Sequence, residues 1–329
     1  MWTALFPRMK KYNILVTGIG AIIGYGIVRS LRQCRYDVNI VGMDVYPDAV
    51  GRRWCDAFLQ AVWASDPGYC DFVADMIERY RIDLVFPGLE PEIYKLSDGR
   101  EHFKGDFSKI ILNNKALIDI SRDKWRLYEY LRQHSVRSIR TFVTGEYDLI
   151  ARELNLPFLL KPRRSSASKG IVTVECREDF DYWKKKLGDN FMVQEIIGDD
   201  EHEYTVGVFG LGDGTFSQSI AFSRKLSREG STVKARTVDI AALDEEVRRL
   251  TALFKPVGPT NFQFRRHQED YLLLEVNPRF SSSLSLRTAF GFNEPEMCIE
   301  YFGEKRMPRP ASITEGTAVR YIEDVVNRA

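Results

Sequence analysis

Short apolar runs alternate with amphipathic stretches over the first 114 residues of this 329-residue chain. Parallel strands need a long crossover connection, usually a helix, so this alternation predicts a doubly wound parallel sheet. We expect a Rossmann-like N-terminal domain over residues 1–114. Its predicted strands are residues 13–17, 39–43, 83–87 and 110–112, and its predicted helices are residues 22–33 and 69–80.

The pattern changes after a single amphipathic helix that is predicted over residues 117–133. Short strands then dominate, and a Gly-Asp-Gly turn at 212–214 joins two of them as a hairpin. We expect an α+β region of two subdomains. Its predicted divisions are a linker helix (115–140), a lid subdomain (141–200) and a C-terminal subdomain (201–329). The predicted strands are residues 158–161, 171–174, 191–195, 204–209, 216–223, 260–264 and 271–276, with one more helix over 245–254.

Two apolar strands near the C terminus carry polar side chains on one face. In YLLLEVNPRF, Glu275 and Asn277 are two residues apart and project from the same side, and Gln263 of NFQF can face them from the neighbouring strand. Oxygen-bearing side chains are costly to bury alone, and hard divalent cations such as Mg²⁺ prefer oxygen ligands. We expect a metal–phosphate site with Arg279 beside it, although a solvated sheet face has the same spacing.

A small, basic loop follows the strand that ends at Lys161. The segment FLLKPRRSSASKGIVTV (158–174) lets backbone N–H groups of small residues close around phosphate oxygens, while basic side chains supply charge. No helix follows, so the loop is not a P-loop, and a basic surface hairpin is the alternative. The charged residues are Lys161, Arg163, Arg164 and Lys169.

The segment FMVQEIIGDDEHEYTVGVF (191–209) is a strand, a short acidic turn and a second strand. Such a hinge can read the edge of an adenine base with its backbone, and Glu203 could take the ribose hydroxyls. An ordinary solvated turn has the same sequence character. His202 has no companion His or Cys nearby, so we expect it at the surface.

A glycine-rich turn, VTGIGAIIGYG (16–26), lies between a predicted strand and helix, and Asp44 closes the next strand. This arrangement suggests a dinucleotide site. However, Ile23 stands where the GxGxxG pattern requires glycine. We therefore favour tight packing of strand on helix as the reason for the glycines.

The composition excludes two classes of partner. Lys and Arg number 47 against 46 Asp and Glu, and a formal net charge of +1 gives no field to hold nucleic acid or an anionic membrane. No apolar run reaches the ~18 residues of a membrane span, and MWTALFPR is too short for a signal peptide. Five scattered cysteines are typical of free thiols in a reducing compartment. We expect a cytoplasmic protein that begins at Met1 or Met9.

Taken in order, these segments resemble the ATP-grasp superfamily, and specifically one synthetase unit of the carbamoyl-phosphate synthase large subunit. The stretch GPTNFQF…YLLLEVNPRFSSSLSLRTAFGF (258–292) is similar to that enzyme's metal-binding segment almost position by position. The resemblance covers the chain from about Tyr12. It implies an ATP-grasp fold of two subdomains behind a pre-ATP-grasp domain, with ATP and Mg²⁺ as cofactors and Mn²⁺ left open.

The resemblance implies roles for the matched residues. Gln263, Glu275 and Asn277 would hold two Mg²⁺ ions, with Glu275 bridging them. The expected catalytic residues, beside the transferred phosphoryl group or a substrate carboxylate, are Arg279, Lys161 and Arg287. The residues expected at the nucleotide are Lys124, Lys161, Arg163, Ser168, Lys169, Gly170, Glu195, Ile196, Ile197, Glu203 and Lys234.

The implied activity is that of an ADP-forming carboxylate–amine ligase that works through an acyl phosphate. Its partners would be a small carboxylic acid and an amine, and a homodimer is left open. The loop PGLEPE (87–92) would close the far wall, where Glu90 or Glu92 could receive an ammonium group. Two alternatives stay open: a kinase with the same ATP site, and a nucleotide- or NAD(P)-binding regulatory protein that uses the glycine turn and Asp44.

The chain departs from the family in three respects. Its phosphate loop, RRSSASKG, is rich in serine where relatives carry several glycines. One synthetase unit is present, whereas carbamoyl-phosphate synthesis uses two units and a glutaminase partner. No acceptor-binding motif is recognisable. The substrate is therefore open, and the activity is not carbamoyl-phosphate synthesis.

Overall fold

The computed structural model describes residues 10–143, 145–165, 170–188, 190–199, 201–227 and 230–326. Within these ranges the chain forms one parallel and two antiparallel sheets. The predicted order, an α/β domain followed by an α+β region, is confirmed.

The N-terminal sheet has the strand order β3-β2-β1-β4, and all its neighbours are parallel. The strand at Ala57–Gln60 was not predicted from the sequence. The strand predicted at 110–112 is wrong, because only a single bridge joins Ile110 to Val85. Directly after this bridge, Asn113 Nδ2 donates to Thr260 Oγ1 at 2.8 Å, which ties the chain to a strand of a different sheet. The elements are β1 (Tyr12–Thr17), α1 (Ile22–Leu31), β2 (Val38–Asp44), β3 (Ala57–Gln60), α2 (Tyr69–Arg79), β4 (Leu84–Phe86) and α3 (Glu90–Asp98).

The linker contains two helices, α4 (Lys115–Ser121) and α5 (Lys124–Gln133). The prediction of one helix over 117–133 is therefore wrong. Asp123 interrupts it, because its backbone is extended and its carboxylate accepts hydrogen bonds from the N–H groups of Trp125 and Arg126 at 3.0 and 3.4 Å. An aspartate in this position caps a new helix instead of continuing the old one.

A four-stranded antiparallel sheet, here called the lid sheet, has the order β5-β8-β6-β7. Two helices cover it and form a core of their own with it, in which Phe158, Phe180 and Val193 are buried. Its elements are β5 (Thr141–Phe142), α6 (Tyr147–Leu154), β6 (Phe158–Pro162), β7 (Val172–Val174), α7 (Arg177–Leu187) and β8 (Phe191–Glu195).

A six-stranded antiparallel sheet, here called the large sheet, has the order β13-β12-β9-β10-β11-β14. One face packs on α8 through residues such as Val208 and Leu250. Its elements are β9 (Glu203–Leu211), β10 (Phe216–Leu226), β11 (Thr232–Val238), α8 (Ala241–Phe254), β12 (Val257–His267), β13 (Asp270–Asn277), α9 (Leu284–Ala289), α10 (Glu294–Cys298) and β14 (Thr317–Val319).

The other face of the large sheet shares a hydrophobic core with the N-terminal sheet. Ile14 and Phe86 belong to the same cluster as Phe222 and Phe280, and the rings of Phe86 and Phe280 lie 5.5 Å apart. Helix α1 packs against α9 and α10. The two sheets thus form one platform, and the predicted domain limits at 114, 140 and 200 stay predictions.

In the described part of the chain, every helix is too short or too polar to cross a membrane.

Candidate active site

A cleft of about 1030 Å³ lies where the N-terminal sheet, the lid sheet and the large sheet meet. Its volume reaches the upper end of the range for small-molecule sites, about 300–1,000 Å³. The start of α1 and residues 88–91 form one wall, and strands of the two antiparallel sheets form the others. The charged side chains that line it are Lys124, Lys161, Arg224, Lys225, Arg265 and Arg279 with Glu90, Glu195, Glu203 and Glu275.

A β-bulge places the acidic end of β13 in the cleft. Gln263 pairs with Glu275 but Phe264 pairs with Leu273, so Leu274 is an extra residue. Under strict alternation from Leu272, Glu275 would lie on the opposite face, because side chains alternate with a period of two. The bulge instead brings Leu274, Glu275 and Asn277 all to the cleft. Bulges often re-aim a side chain in this way beside functional sites.

The three predicted metal ligands come together, but they are not equally available. Asn277 Oδ1 accepts from Arg279 Nη2 at 2.9 Å, and its Nδ2 has no hydrogen-bond partner among the described residues. Gln263 Oε1 accepts from Arg224 Nη2 at 2.8 Å. A divalent cation on that oxygen would lie about 4 Å from the guanidinium, and the repulsion is about 8 kcal/mol at an effective dielectric constant of about 20.

These residues fit one Mg²⁺ ion at Glu275 and Asn277 better than two. Mg²⁺ usually takes one or two carboxylates together with substrate phosphates and water. Glu275 supplies the carboxylate, and the amide oxygen of Asn277 keeps a second lone pair. Three or more His, Cys, Asp or Glu side chains do not converge in a metal-binding cluster anywhere in the described ranges, so a cation at Glu275 and Asn277 would need ligands from the nucleotide or from water.

Arg279 connects this edge of the large sheet to the N-terminal domain. Its Nε donates to Glu90 Oε1 at 3.1 Å, and both side chains line the cleft. Glu92, the alternative acceptor of a substrate ammonium group, is buried at the start of α3. It accepts from Thr17 Oγ1 and from the N–H of Leu89, and burial raises the pKa of Glu92 to about 7. Only Glu90 of these two carboxylates reaches the cleft.

Lys161 lies near the end of β6 and points into the cleft. Its Nζ donates to Gln194 Oε1 at 2.6 Å on the neighbouring strand β8. Burial lowers the pKa of Lys161 to about 8, and repulsion from Lys124 and Arg265 adds to the effect. A lysine in such a setting gains strongly from an anionic ligand, because the ligand restores the stability of its charged form.

The start of α5 holds the loop that follows β6. Lys124 Nζ donates to the carbonyl of Ser165 at 2.6 Å and to its hydroxyl at 3.3 Å. Arg163 forms a bidentate pair with Asp123 at 2.8 and 3.1 Å. Burial raises the pKa of Asp123, but hydrogen bonds from Arg163 outweigh it and the net pKa is lowered. Lys124 lines the cleft, whereas Arg163 is committed to fixing the loop.

Apolar side chains line the cleft near Glu195, among them Ile139, Ile197 and Leu274, and this part of the lining is here called the apolar slot. Ile139, Ile197 and Leu272 form a small buried cluster on which Leu274 packs. Strand β8 ends at Glu195, so the backbone groups of Ile196 and Ile197 lie beyond its ladder, beside the slot. The Glu195 carboxylate receives two hydrogen bonds from Arg140, at 2.8 and 3.0 Å, and these hydrogen bonds lower its pKa.

Glu203, predicted to bind ribose, is held by two arginines. Its Oε1 accepts from Arg224 Nη2 at 2.7 Å and its Oε2 from Arg265 Nη2 at 2.8 Å. Sequence reasoning missed Arg224 and Arg265. Alternation along β10 could have indicated that Arg224 is buried, because it shares a face with the apolar Phe222. An arginine near the end of a strand is usually solvated, however, so the alternation alone did not predict a site residue.

Lys234 and Arg287, which were also predicted as site residues, lie away from the cleft as Arg163 does. Lys234 is exposed on β11, next to the edge of the large sheet, where it pairs with Val319 of the edge strand β14. Arg287 is fully buried beneath the cleft floor, where it forms an ion pair with Glu294 at 3.3 Å and donates to Asn261 Oδ1. A Cβ atom at Gly207 would lie 2.4 Å from Arg287 Nη1, so only glycine leaves room for the guanidinium.

The remaining predictions concern the phosphate loop and the glycine turn. Ser168 and Lys169 lie outside the described residues, and Gly170 is exposed with a φ of +76°. At the glycine turn, Asp44 accepts from the N–H groups of Gly20 at 2.7 Å and Tyr46 at 3.0 Å. Because both oxygens of the Asp44 carboxylate already accept backbone hydrogen bonds, the glycine turn is better explained by packing of strand on helix than by a ribose-binding site.

Two family models match the chain. Residues 188–325 match the model described as "ATP-grasp in the biosynthetic pathway with Ter operon", and residues 14–111 match "PylC-like, N-terminal domain". A curated relative, the uncharacterized protein y4rH of Sinorhizobium fredii (strain NBRC 101917 / NGR234), is 26% identical over 263 residues. The match covers 68% of this chain and 53% of the relative, so the chain spans about half the length of that protein.

Solved structures share the fold over most of this chain. The N5-carboxyaminoimidazole synthetase from Staphylococcus aureus, complexed with ADP, superposes with a TM-score of 0.73 at 16% identity, over 94% of this chain and 81% of that one. The biotin carboxylase from Campylobacter jejuni, in a β-γ-ATP complex, gives a TM-score of 0.70 at 16% identity, over 94% and 74%. Identities this low establish a common fold.

Proposed function

We propose that this chain, an ATP-grasp protein with a PylC-like N-terminal domain, is an ATP-dependent ligase that joins a carboxylate to an amine and releases ADP and phosphate. One observation carries the proposal. Lys161 and Lys124 converge on the same cleft as Glu275 and Asn277, next to an apolar slot. This set combines a place for a flat base, cations for phosphates and oxygen ligands for a hard cation.

In this proposal the nucleotide lies along the cleft from the slot to the end of β13. Ile139, Ile197 and Leu274 would contact the base, and the backbone at Ile196 would read its edge. Lys161 and Lys124 would contact the phosphates. Glu275 and Asn277 would hold Mg²⁺, which when bound would neutralise charge on the phosphates.

The first chemical step would be attack by a substrate carboxylate oxygen on the γ-phosphorus. The bond from phosphorus to the bridging oxygen breaks, and ADP leaves with that electron pair. The amine nitrogen then attacks the carbonyl carbon of the acyl phosphate, phosphate leaves, and the nitrogen loses a proton. Lys161 and Arg279 would face the oxygens over which negative charge spreads, so the chain's part would be positioning and electrostatic stabilisation.

The lid sheet would exclude water from the acyl phosphate. Its own core allows it to move as a unit against the platform that the other two sheets form. Acyl phosphates hydrolyse readily, so a ligase needs such a cover while the amine approaches.

The test uses the full chain with Mg²⁺-ATP, hydroxylamine and a panel of amino and other carboxylic acids. We expect a hydroxamate to form together with ADP, and Glu275→Gln to abolish both products. Once an acid is found, its ¹⁸O-labelled carboxylate should pass one label into the released phosphate. AMP and pyrophosphate, or ADP formed only with an alcohol acceptor, would contradict the ligase and favour an adenylating enzyme or a kinase.

A further inference from the structure

Arg224 occupies an unusual position in the cleft floor. Its side chain is only 2% exposed, although it lines the cleft. One nitrogen, Nη2, donates both to Glu203 Oε1 at 2.7 Å and to Gln263 Oε1 at 2.8 Å. Its Nη1 lies 3.4 Å from Thr232 Oγ1, and Nε is buried without a hydrogen-bond partner in the described part of the chain.

We propose that the guanidinium of Arg224 replaces one of two divalent cations, so that the nucleotide binds with a single cation at Glu275 and Asn277. The inference rests on the proposed function, since it concerns the nucleotide-bound cleft. A second ion would need Gln263 as a ligand in addition to Glu275. The side-chain oxygen of Gln263, however, already accepts a hydrogen bond from the positively charged guanidinium of Arg224.

Arg224, Arg265 and Glu203 form one cluster beside Gln263, and these three groups together carry a net charge of +1. Glu203 carries one negative charge and is paired with Arg265 at 2.8 Å as well as with Arg224. Two guanidinium groups therefore face one carboxylate in a nearly buried cluster. A second metal ion at Gln263 would add charge of the same sign where water screens little.

Arg279 also donates to a predicted metal ligand, Asn277, but its situation differs. Its side chain is 16% exposed and pairs with Glu90 across the cleft, so it can turn toward a phosphate without leaving a buried charge behind. Arg224 is enclosed by Glu203, Gln263 and Thr232, and removing it from them would leave Glu203 short of a partner. The fixed cation is therefore Arg224.

The test counts metal ions on the full chain by electron paramagnetic resonance of Mn²⁺. The non-hydrolysable analogue AMP-PNP is held below the protein concentration so that all of it is bound. Two ions that share one carboxylate lie about 4 Å apart and couple magnetically, whereas a single ion gives an isolated spectrum. We expect one Mn²⁺ per bound nucleotide and no coupling. Two coupled ions on the wild type would overturn the inference and leave the ligase proposal intact.

Variants test the residue itself. Arg224→Met should bind a second Mn²⁺ that couples to the first. The matched control Arg265→Met removes the other arginine on Glu203 and should keep one ion. A single ion on both variants would overturn the role of Arg224.

If Arg224→Met does not fold, the metal ions are counted on Gln263→Glu, which keeps Arg224 and places a carboxylate beside it. It should still bind one ion, because the new carboxylate pairs with Arg224, and two coupled ions would overturn the inference. A wild type that binds no AMP-PNP by calorimetry would overturn the proposed function, and this inference with it.

Discussion

The guanidinium of Arg279, at the end of the large sheet, donates from Nε to Oε1 of Glu90, 189 residues earlier in the chain, at 3.1 Å. Glu90 begins α3 of the N-terminal domain, so this pair spans the cleft between the two ends of the platform. A phosphate that binds beside Arg279 has to compete with this carboxylate.

We therefore expect Glu90→Gln to bind AMP-PNP about fivefold more tightly, because a partly exposed ion pair is worth about 1 kcal/mol. Since Arg279 is proposed to face the terminal phosphate, ADP affinity should not change. Isothermal titration calorimetry measures both constants. Equal changes for the two nucleotides would place Arg279 away from that phosphate.

A second prediction concerns Glu275. Mg²⁺-AMP-PNP at 100 times its dissociation constant should stabilise the wild type by about 2.7 kcal/mol, by mass action on the folded state. Glu275→Gln should lose this stabilisation while its melting temperature without ligand stays near that of the wild type. Differential scanning fluorimetry measures the melting temperature with and without the ligand. The matched control is Glu245→Gln, which changes an exposed carboxylate on α8. A full shift in Glu275→Gln would remove Glu275 from the metal site.

The pKa of Lys161 predicts how nucleotide affinity depends on pH. Its pKa in the free protein is about 8, and phosphates bind the charged form. Affinity is therefore nearly full at about pH 7 and falls as pH rises through 8, by up to about 30-fold between pH 7 and 9.5. Lys161→Arg should flatten this profile, because arginine keeps its charge over the range. A profile that falls equally in both proteins would assign the titration to another group.

Arg287 and Glu294 form an ion pair that is fully buried. Arg287→Met should cost about 3–5 kcal/mol of unfolding free energy, because it leaves the Glu294 carboxylate buried and unpaired. Adding Glu294→Leu should recover much of that loss, and the double variant should still bind AMP-PNP. Urea unfolding measures the free energies.

The exposed pair of Arg248 with Asp244 on α8 supplies the control. Arg248→Met should change the unfolding free energy by less than about 1 kcal/mol. If the folded double variant of Arg287 and Glu294 bound no nucleotide, Arg287 would have a role in the cleft that its burial does not indicate.

Periodicity predicted the elements whose pattern is decided locally. The apolar strands β12 and β13 were predicted from sequence, and Glu275 and Asn277 do share a face. The bulge at Leu274 was not foreseen, because it depends on how β13 pairs with its neighbour and not on β13 alone. The same holds for Asp123, the capping residue of α5, because it pairs with Arg163 in the loop that follows β6, 40 residues later in the chain.

The sequence did not predict the positions of two arginines, Arg287 and Arg224, because their burial depends on contacts with distant parts of the chain. Arg287 follows the metal segment closely, and its type suits a substrate carboxylate, but the fold turns it under the large sheet toward Glu294. Arg224 lacked a recognisable motif, and its position beside Gln263 comes from the pairing of three strands. Long-range pairing of this kind is not encoded in any short window of the chain.

The contact between Gly207 and Arg287 has a consequence for descent. Position 207 tolerates no side chain while the guanidinium lies over it, and the guanidinium needs Glu294 for its charge. A lineage that loses any one of the three is expected to lose the others soon afterwards. Related chains that keep this buried ion pair under the cleft are therefore expected to keep Gly207, Arg287 and Glu294 together.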